Sequence, residues 1–282
     1  AEVVASHHDL VHHQHLLEPA AFEKRLPKLS WHGEDADVTV MFFHPLFEHM
    51  ANHVKVGLCG QGADELHAGY PRYGALADHG RTLKQRMDAL PDHLNAALLN
   101  GGLSPEQGWY KSKHDPKAIT NDLQTMLNFE LEHGQLSNFQ LRLVDRHSMA
   151  HSLEVRVPFL GSDHRAASYG LPEEWKRGAG REEKAALRKA ADLTQLPKEI
   201  VRRPKLPAGR ATSPSMLEQF LSERRSQTEE LLEHYTQWAP ALRGQEELAL
   251  GLGLFESLHL REDGHRRTSH SIDNLIAEVI SP

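Results

Sequence analysis

The sequence predicts an α/β protein in which a parallel sheet is followed by a mainly helical C-terminal half. The apolar run Val54–Leu58 stops at Cys59-Gly60-Gln61-Gly62 and opens into a helical pattern. Strands and helices alternate in this first part of the chain, an order that gives parallel strands joined by right-handed crossovers. Past Pro71, helical patterns are separated by Gly and Pro breaks.

Composition limits the functional classes. A chain of 282 residues with 39% hydrophobic residues fits one large domain or two smaller ones. It contains neither a membrane-length apolar stretch nor a leader-like N-terminus, so we expect a cytoplasmic protein. The net charge of −7 argues against general nucleic-acid binding. Cys59 is the single cysteine, which excludes an internal disulfide and a cysteine-based zinc site.

The first elements follow from local signals. Residues 1–8 resemble the end of a helix, and Val11–Leu17 is a predicted strand. Pro19 begins a short helix, since proline is tolerated in a first turn. The acidic stretch 33–37 is a predicted loop, and Thr39–His53 carries apolar residues at helical spacing.

Later elements are helices. Their predicted ranges are Leu83–Leu99, Thr120–Glu132, Ser137–Ser152 and Glu182–Asp192, with loops at Gly101-Gly102 and 178–180 and a serine-capped amphipathic helix from Ser213. The stretch Leu248–Leu254 contains two glycines but lacks the preceding strand and following helix of a dinucleotide fingerprint. We therefore interpret it as core packing.

The histidine content is unusual, at 21 residues. An N-terminal group suggests a metal site and comprises His7, His8, His12, His13 and His15. These residues connect a helix to a predicted strand, so their side chains should point several ways, and no acidic residue completes a ligand set. The sequence favours a histidine-rich tract without a metal.

The turn after Val54–Leu58 has the features of a ligand loop. Gly60 and Gly62 permit a positive φ and a close approach of the backbone to a ligand. Asp64 follows at the helix start. Its carboxylate could cap the helix or hold Mg²⁺ against phosphate oxygens, and the pattern alone leaves both open.

Three segments resemble the asparagine synthetase family. The first runs from Gly60 to Tyr73 and is similar to the family's second nucleotide-site motif; the others are 144–160 and 181–188, the last followed by Leu196-Pro197 and Arg203-Pro204-Lys205. The matches occur in the family's order and cover about residues 1–210. The resemblance implies a partial synthetase domain over 1–210 and a helical extension over 211–282 packed on it.

The resemblance also implies a fold and a reaction. The fold is the ATP-pyrophosphatase type, also described as adenine nucleotide α-hydrolase-like. In such an enzyme ATP activates an aspartate-like carboxylate as an acyl-adenylate, pyrophosphate leaves, and ammonia or another amine attacks. ATP and Mg²⁺ are the implied cofactors.

Residue roles carry over position by position. Cys59 and Gly60 would contact the adenylate through backbone groups, and Asp64 would bind the Mg²⁺ of pyrophosphate. Lys184 would be catalytic by neutralising charge on the phosphates and the tetrahedral intermediate. Gln61 would lie at the adenylate and touch the reacting acyl group.

Other charged residues fit two interpretations. Asp145, Arg146, Glu154 and Arg156 could form an ion-pair network that positions a helix, which we favour, or take part in the site. The basic group Arg202, Arg203 and Lys205 could reach a phosphate or form a solvated turn, with no preference between the two.

Departures from the family pattern keep alternatives open. Gln61 stands where asparagine-forming members usually carry Glu or Asp and β-lactam-forming relatives carry Tyr. A neutral amide cannot act as a general base, so a β-lactam-synthetase-like or peptide-cyclising relative is an alternative. A third hypothesis is a non-catalytic binding subunit that retains the fold.

Two family features are missing from these 282 residues: the Ser-Gly-Gly-x-Asp-Ser pyrophosphate loop and an N-terminal glutaminase cysteine. We therefore expect one piece of a larger enzyme whose partner polypeptide supplies the loop and the glutaminase. The strand 54–58 would then have an unpaired edge.

Overall fold

The structure is a computed structural model, and it describes most of the chain. The described residues are 1–16, 18–38, 43–94, 122–132, 134–178, 180, 182–206 and 214–281. The predicted loop at Gly101-Gly102, the cap at Ser213 and the end of the predicted helix Leu83–Leu99 lie outside them.

The described chain is mostly helical. In order, its α-helices are α1 Glu2–His7, α2 Pro19–Gly33, α3 Phe43–Ala51, α4 Ala63–Leu66, α5 Leu76–Asp88, α6 Leu123–Glu132, α7 Leu141–Met149, α8 Ser162–Tyr169, α9 Glu173–Lys176, α10 Ala185–Ala191, α11 Lys198–Val201, α12 Pro214–Glu223, α13 Arg225–His234, α14 Ala239–Leu242, α15 Glu246–Phe255, α16 Gly264–Arg267 and α17 Ile272–Ile280. No described helix is both long and apolar enough to cross a bilayer.

Two short strands form the sheet. Strand β1, Val56–Leu58, pairs in parallel with β2, Glu154–Arg156, with Gly57 opposite Val155. Gly57 also lies against Met50 of α3, which a Cβ at residue 57 would approach to 2.7 Å. The predicted parallel α/β arrangement is therefore present as a two-stranded sheet within a largely helical chain. The larger sheet of the ATP-pyrophosphatase type is not seen in the described residues.

Several element boundaries differ from the sequence expectations. The predicted strand Val11–Leu17 is wrong over residues 11–16, which carry no regular secondary structure. Val11 is 85% exposed, so this apolar side chain does not pack against another part of the described chain. The helix predicted from Leu83 instead begins at Leu76 and ends at Asp88. The helix from Pro19 is longer than the predicted short helix, since it runs for 15 residues and continues through Pro27.

The largest hydrophobic core joins the two ends of the chain. It contains Phe22, Leu26 and Leu29 of α2 together with apolar residues of the C-terminal helices. Leu231 of α13 and Leu254 of α15 are fully buried in it. Helices α12, α13, α15 and α17 thus share one core with α2, and burial of these side chains is a main source of stability.

The glycines of α15 allow close helix packing. A Cβ at Gly253 would lie 2.8 Å from Ile276 and 3.0 Å from Leu231. A Cβ at Gly251 would overlap the carbonyl of Ala36. The interpretation of Leu248–Leu254 as core packing is confirmed, in helical form.

We expect Leu254→Ala to lower the free energy of unfolding by about 2–5 kcal/mol, because it leaves a cavity in this core. Urea denaturation followed by circular dichroism would measure the change. Leu193→Ala is the matched control, since Leu193 is 88% exposed, and it should shift stability by no more than about 0.5 kcal/mol. Equal effects of the two substitutions would contradict the assigned core.

Candidate functional site

The turn after β1 places Asp64 in the first turn of α4. Gly62 precedes this helix as its N-cap residue with a φ of 90°, a left-handed conformation that favours glycine. A Cβ at Gly62 would also collide with the side chain of Leu160. No side chain caps α4, so Asp64 does not serve as its cap. Its carboxylate points to lysines from a distant part of the chain.

Two lysines converge on Asp64. The Nζ of Lys184 lies 2.9 Å from Oδ1, and the Nζ of Lys205 lies 3.0 Å from Oδ2. The carboxylate is mostly buried, and both ammonium groups are partly buried. Burial strengthens such pairs relative to surface pairs, because water and salt screen them less. Residues 64, 184 and 205 therefore form one cluster, which we call the Asp64 cluster.

Position 69 must be a glycine because it lies directly against the Asp64 cluster. A Cβ at this position would overlap both Oδ1 of Asp64 and Cε of Lys184. The backbone N–H of Gly69 donates to the carbonyl of Asp64 at 2.8 Å, which holds the turn against the pair. Gly69 lies in the segment from Gly60 to Tyr73 that resembles the family motif. Its role was not predictable from that segment, because it depends on the contact with Lys184, far away in the sequence.

Lys184 is positioned through its backbone. It precedes α10 with a φ of 57°, a left-handed conformation that is uncommon for a side-chain-bearing residue. Its N–H donates to the carbonyl of His67, just after α4, at 3.1 Å. This bond fixes the start of α10 beside the end of α4 and directs Lys184 towards Asp64.

Arg188 connects the segments that carry the two lysines. Its guanidinium donates to the carboxylate of Glu183 at 2.6 Å and to the carbonyl of Arg203 at 2.8 Å, and it also bonds the carbonyl of Val201. The N–H of Lys205 donates to the same Glu183 carboxylate at 3.0 Å. The interpretation of this basic segment as a merely solvated turn is therefore wrong for Lys205. Arg202 instead pairs with Glu182 and Asp192.

The other predicted site residues lie in the turn itself. Gly60 is exposed, its φ is not positive, and a Cβ there would meet nothing within 4 Å. The space beside its Cα is therefore open to a ligand. Gln61 is half-buried beside it. Cys59 is also half-buried, but its N–H already donates to the carbonyl of Arg156 at 2.8 Å. A ligand contact from Cys59 must therefore use another of its atoms.

Glu65 was not identified from the sequence. It is 1% exposed, and neither carboxylate oxygen has a hydrogen-bond partner. Burial raises its pKa, the neighbouring charges of Asp64 and Glu130 add to the increase, and the resulting pKa is about 7. Glu130 itself pairs with Arg72 at 3.0 Å, which offsets that charge. An acidic pair at the start of a helix is typical of a solvated first turn, so the sequence carried no signal of this burial.

Tyr70 closes one side of the cluster. The Nζ of Lys205 lies 5.3 Å from its ring centroid, within cation–π range. Its hydroxyl accepts a hydrogen bond from the side-chain amide of Gln140 at 3.0 Å. Burial raises the pKa of Tyr70, so it stays neutral.

The donor set fits a phosphate-bearing ligand. With Glu65 largely protonated below about pH 7, two ammonium groups face one carboxylate and leave a positive charge in excess. Mg²⁺ at phosphate sites is usually bound by one or two carboxylates together with phosphate oxygens and water. Asp64 can be such a ligand through Oδ1, which is buried and has no hydrogen-bond partner although the Nζ of Lys184 lies 2.9 Å away.

The charged residues of the second family-like segment do not join this cluster. Arg146 pairs with Glu34 at 2.9 Å and donates to the carbonyls of Gly33 and Glu34, which ties α7 to the end of α2. Glu154 and Arg156 pair with each other at 2.8 Å on the surface. The structural interpretation is thus confirmed for Arg146, although the residues form separate pairs and not one network.

We expect Glu65 to make stability depend on pH. Its folded-state pKa of about 7 exceeds the ordinary pKa of 4.5 for a glutamate, so the folded state stabilises the protonated form. That stabilisation is complete below pH 4.5 and is lost as pH rises through 7, by at most roughly 3 kcal/mol. Glu65→Gln should remove this decline, as measured by urea unfolding at several pH values.

The control for this experiment is Glu229→Gln, which alters an exposed carboxylate on α13. It should keep the pH dependence of the unmodified chain. An unchanged slope in Glu65→Gln would show that Glu65 titrates normally.

Sequence comparisons agree with the resemblance noted above. The model of the asparagine synthase family matches residues 1–245. The chain is 31% identical over 250 residues to glutamine-hydrolyzing asparagine synthetase 3 of Bacillus subtilis, which covers 81% of this chain and 37% of that protein. It is 28% identical over 232 residues to glutamine-hydrolyzing asparagine synthetase 1 of the same organism, covering 68% and 36%.

A shorter match reaches the human enzyme. It is 45% identical over 74 residues, or 25% of this chain and 13% of the human glutamine-hydrolyzing asparagine synthetase. The chain thus spans little more than a third of the length of the two bacterial relatives. Because the family model covers well over half of the chain, this protein belongs to the asparagine synthase family.

Proposed function

We propose that this chain is the synthetase part of an ATP-dependent, amide-forming ligase of the asparagine synthetase type. The observation that carries the proposal is the meeting of Asp64, Lys184 and Lys205 beside the glycine turn that follows β1. Family membership supplies the reaction class, and the excess positive charge of the cluster supplies the affinity for phosphate.

The reaction has two steps. A carboxylate oxygen of an aspartate-like substrate attacks the α-phosphorus of ATP, the bond to the bridging oxygen breaks, and pyrophosphate leaves. Ammonia or another amine then attacks the acyl carbon of the acyl-adenylate. AMP leaves with the electrons of the acyl–oxygen bond, and the nitrogen releases a proton.

The residues of the Asp64 cluster stabilise the charge that moves in these steps. Lys184 and Lys205 offset negative charge on the departing pyrophosphate, and fixed charges aimed at such a group are among the largest catalytic contributions. Asp64 would hold Mg²⁺, which when bound neutralises phosphate oxygens. Gly60 offers open backbone to the adenylate, and Cys59 contributes through atoms other than its N–H.

A polypeptide segment outside these 282 residues would carry the pyrophosphate loop, and a glutaminase would supply ammonia. Among the described strands β1 pairs with β2 alone, which leaves its other edge free, and Leu58 and Val56 on one face of β1 are 72% and 41% exposed; both features support a neighbouring segment here. We also propose that residues 1–210 form the synthetase-like domain and 211–282 a helical extension on it. The shared core with α2 supports that packing.

We expect Lys184→Ala to reduce the rate of carboxylate-dependent pyrophosphate release by about 10²–10³-fold, because a preorganised charge is removed. The assay uses this chain reconstituted with the segment that carries the pyrophosphate loop, in the presence of ATP, Mg²⁺, aspartate and ammonia. Lys189→Ala is the matched control, since Lys189 is exposed on the same α10 helix.

Two results would contradict this proposal. No pyrophosphate release with any carboxylate would reject the ligase reaction. Full activity of Lys184→Ala in the reconstituted complex would instead favour the binding-subunit hypothesis, in which this chain supports the fold and another polypeptide carries the chemistry.

Gln61 bears on which amine attacks. Because a neutral amide cannot take the proton of an incoming ammonium, we expect product formation with free ammonia to require another base. Amide product should form from aspartate with ammonia, as measured by mass spectrometry. Product formed only from a carboxylate that carries its own amine would identify the lactam-forming or peptide-cyclising alternative.

A further inference from the structure

The N-terminal histidine tract meets a second pair of histidines in the fold. His13 lies in the irregular segment before α2, while His49 and His53 lie at the end of α3 and just beyond it. The ring centroids are 4.3 Å apart for His13 and His53, 5.4 Å for His13 and His49, and 5.0 Å for His49 and His53. We call these three residues the histidine trio.

We propose that the histidine trio is a binding site for a zinc-class divalent cation, held by three neutral imidazoles. One ring nitrogen from each residue lies within 4.8 Å of the other two. Three imidazoles are a ligand set that Zn²⁺ accepts, with its fourth position left to water or another ligand.

The geometry requires only small adjustments. With Zn–N bonds of about 2.0–2.1 Å in tetrahedral geometry, ligand nitrogens lie about 3.3 Å apart. The nitrogens of the trio therefore need to approach by at most roughly 1.5 Å. His13 and His53 are exposed, so their side chains can rotate to close this distance.

His49 supplies an independent sign of a ligand. Its Nε2 is buried and has no hydrogen-bond partner. A buried nitrogen without a partner costs free energy, and coordination of a metal ion would remove that cost. Histidine rings that only share an exposed surface would leave their nitrogens to water.

The backbone holds two of the three ligands together. His49 and His53 are four residues apart, and the N–H of His53 donates to the carbonyl of Met50 at 2.9 Å. The N–H of Val54 donates to the same carbonyl at 3.0 Å. The chain then enters β1 and reaches the glycine turn, so a cation at the trio would fix the start of this strand.

His13 would bring the N-terminal segment to that point. Residues 11–16 carry no regular secondary structure, and Val11 and Leu16 are 85% and 71% exposed. A bound cation would join this segment to α3, which is separated from it in sequence by α2. It would thereby order a part of the protein that apolar packing does not hold.

The test is zinc binding to the purified chain after removal of metal with a chelator. Competition with a chromophoric chelator should show one tight Zn²⁺ per chain. His13→Ala and His53→Ala should each weaken binding at least tenfold, while His12→Ala should not, because His12 lies in the same exposed segment but outside the trio. The chosen ligand variants alter exposed side chains and leave the half-buried His49 in place.

Two further measurements are diagnostic. Co²⁺ in place of Zn²⁺ should give the visible absorption of a low-coordinate nitrogen site, and His13→Ala should abolish it. Zn²⁺ should also protect the segment around residues 11–16 from limited proteolysis in the unmodified chain but not in His53→Ala. Equal zinc affinity of His13→Ala, His53→Ala and the unmodified chain would overturn the proposal, as would a loss in His12→Ala as large as in the ligand variants.

Discussion

The structure around the glycine turn depends on one buried interaction, the pairing of Asp64 with two lysines. A carboxylate removed from water is stable only when opposite charge or hydrogen bonds replace its hydration. Lys184 and Lys205 provide that charge from positions more than a hundred residues away in sequence. The turn, the start of α10 and the segment after α11 must therefore meet, and Gly69 leaves the room for them to do so.

Two other features of the fold hold these segments in place: the pair of strands and the largest hydrophobic core. The parallel pair of β1 and β2 fixes the entry to the turn, because the N–H of Cys59 continues the ladder to Arg156. The core that α2 shares with the C-terminal helices holds the ends of the chain together. Arg146 connects the sheet to this core, because it lies on α7, the helix that precedes β2, and it bonds the end of α2.

The sequence predicted the local features of the candidate site better than the bounds of the helices and strands. The strand, glycine turn and acidic helix start are local features, and the positive φ at Gly62 follows from local sterics. Lys184 could be assigned through the family resemblance, whereas Lys205 could not be separated from a solvated turn. That distinction depends on Arg188 and Glu183, whose contacts are not encoded in spacing.

The differences between expectation and structure have physical causes as well. Val11–Leu17 has the composition of a strand, yet a strand needs a neighbour, and residues 11–16 have none in the described structure. The sequence pattern places His13 in an N-terminal group, and in the structure its ring neighbours are His49 and His53, on and just after α3. Both cases show that tertiary contacts decide the role of a segment whose local pattern is ambiguous.

The position of Arg188 has a mechanical consequence. Its guanidinium bonds the carboxylate of Glu183, next to Lys184, and the carbonyls of residues 201 and 203, in the segment that leads to Lys205. The N–H of Lys205 bonds the same Glu183 carboxylate. Arg188 therefore holds both of the segments that carry the two lysines. A shift of α10 that moved one of them would loosen the other, so Lys184 and Lys205 would move as a coupled pair relative to Asp64.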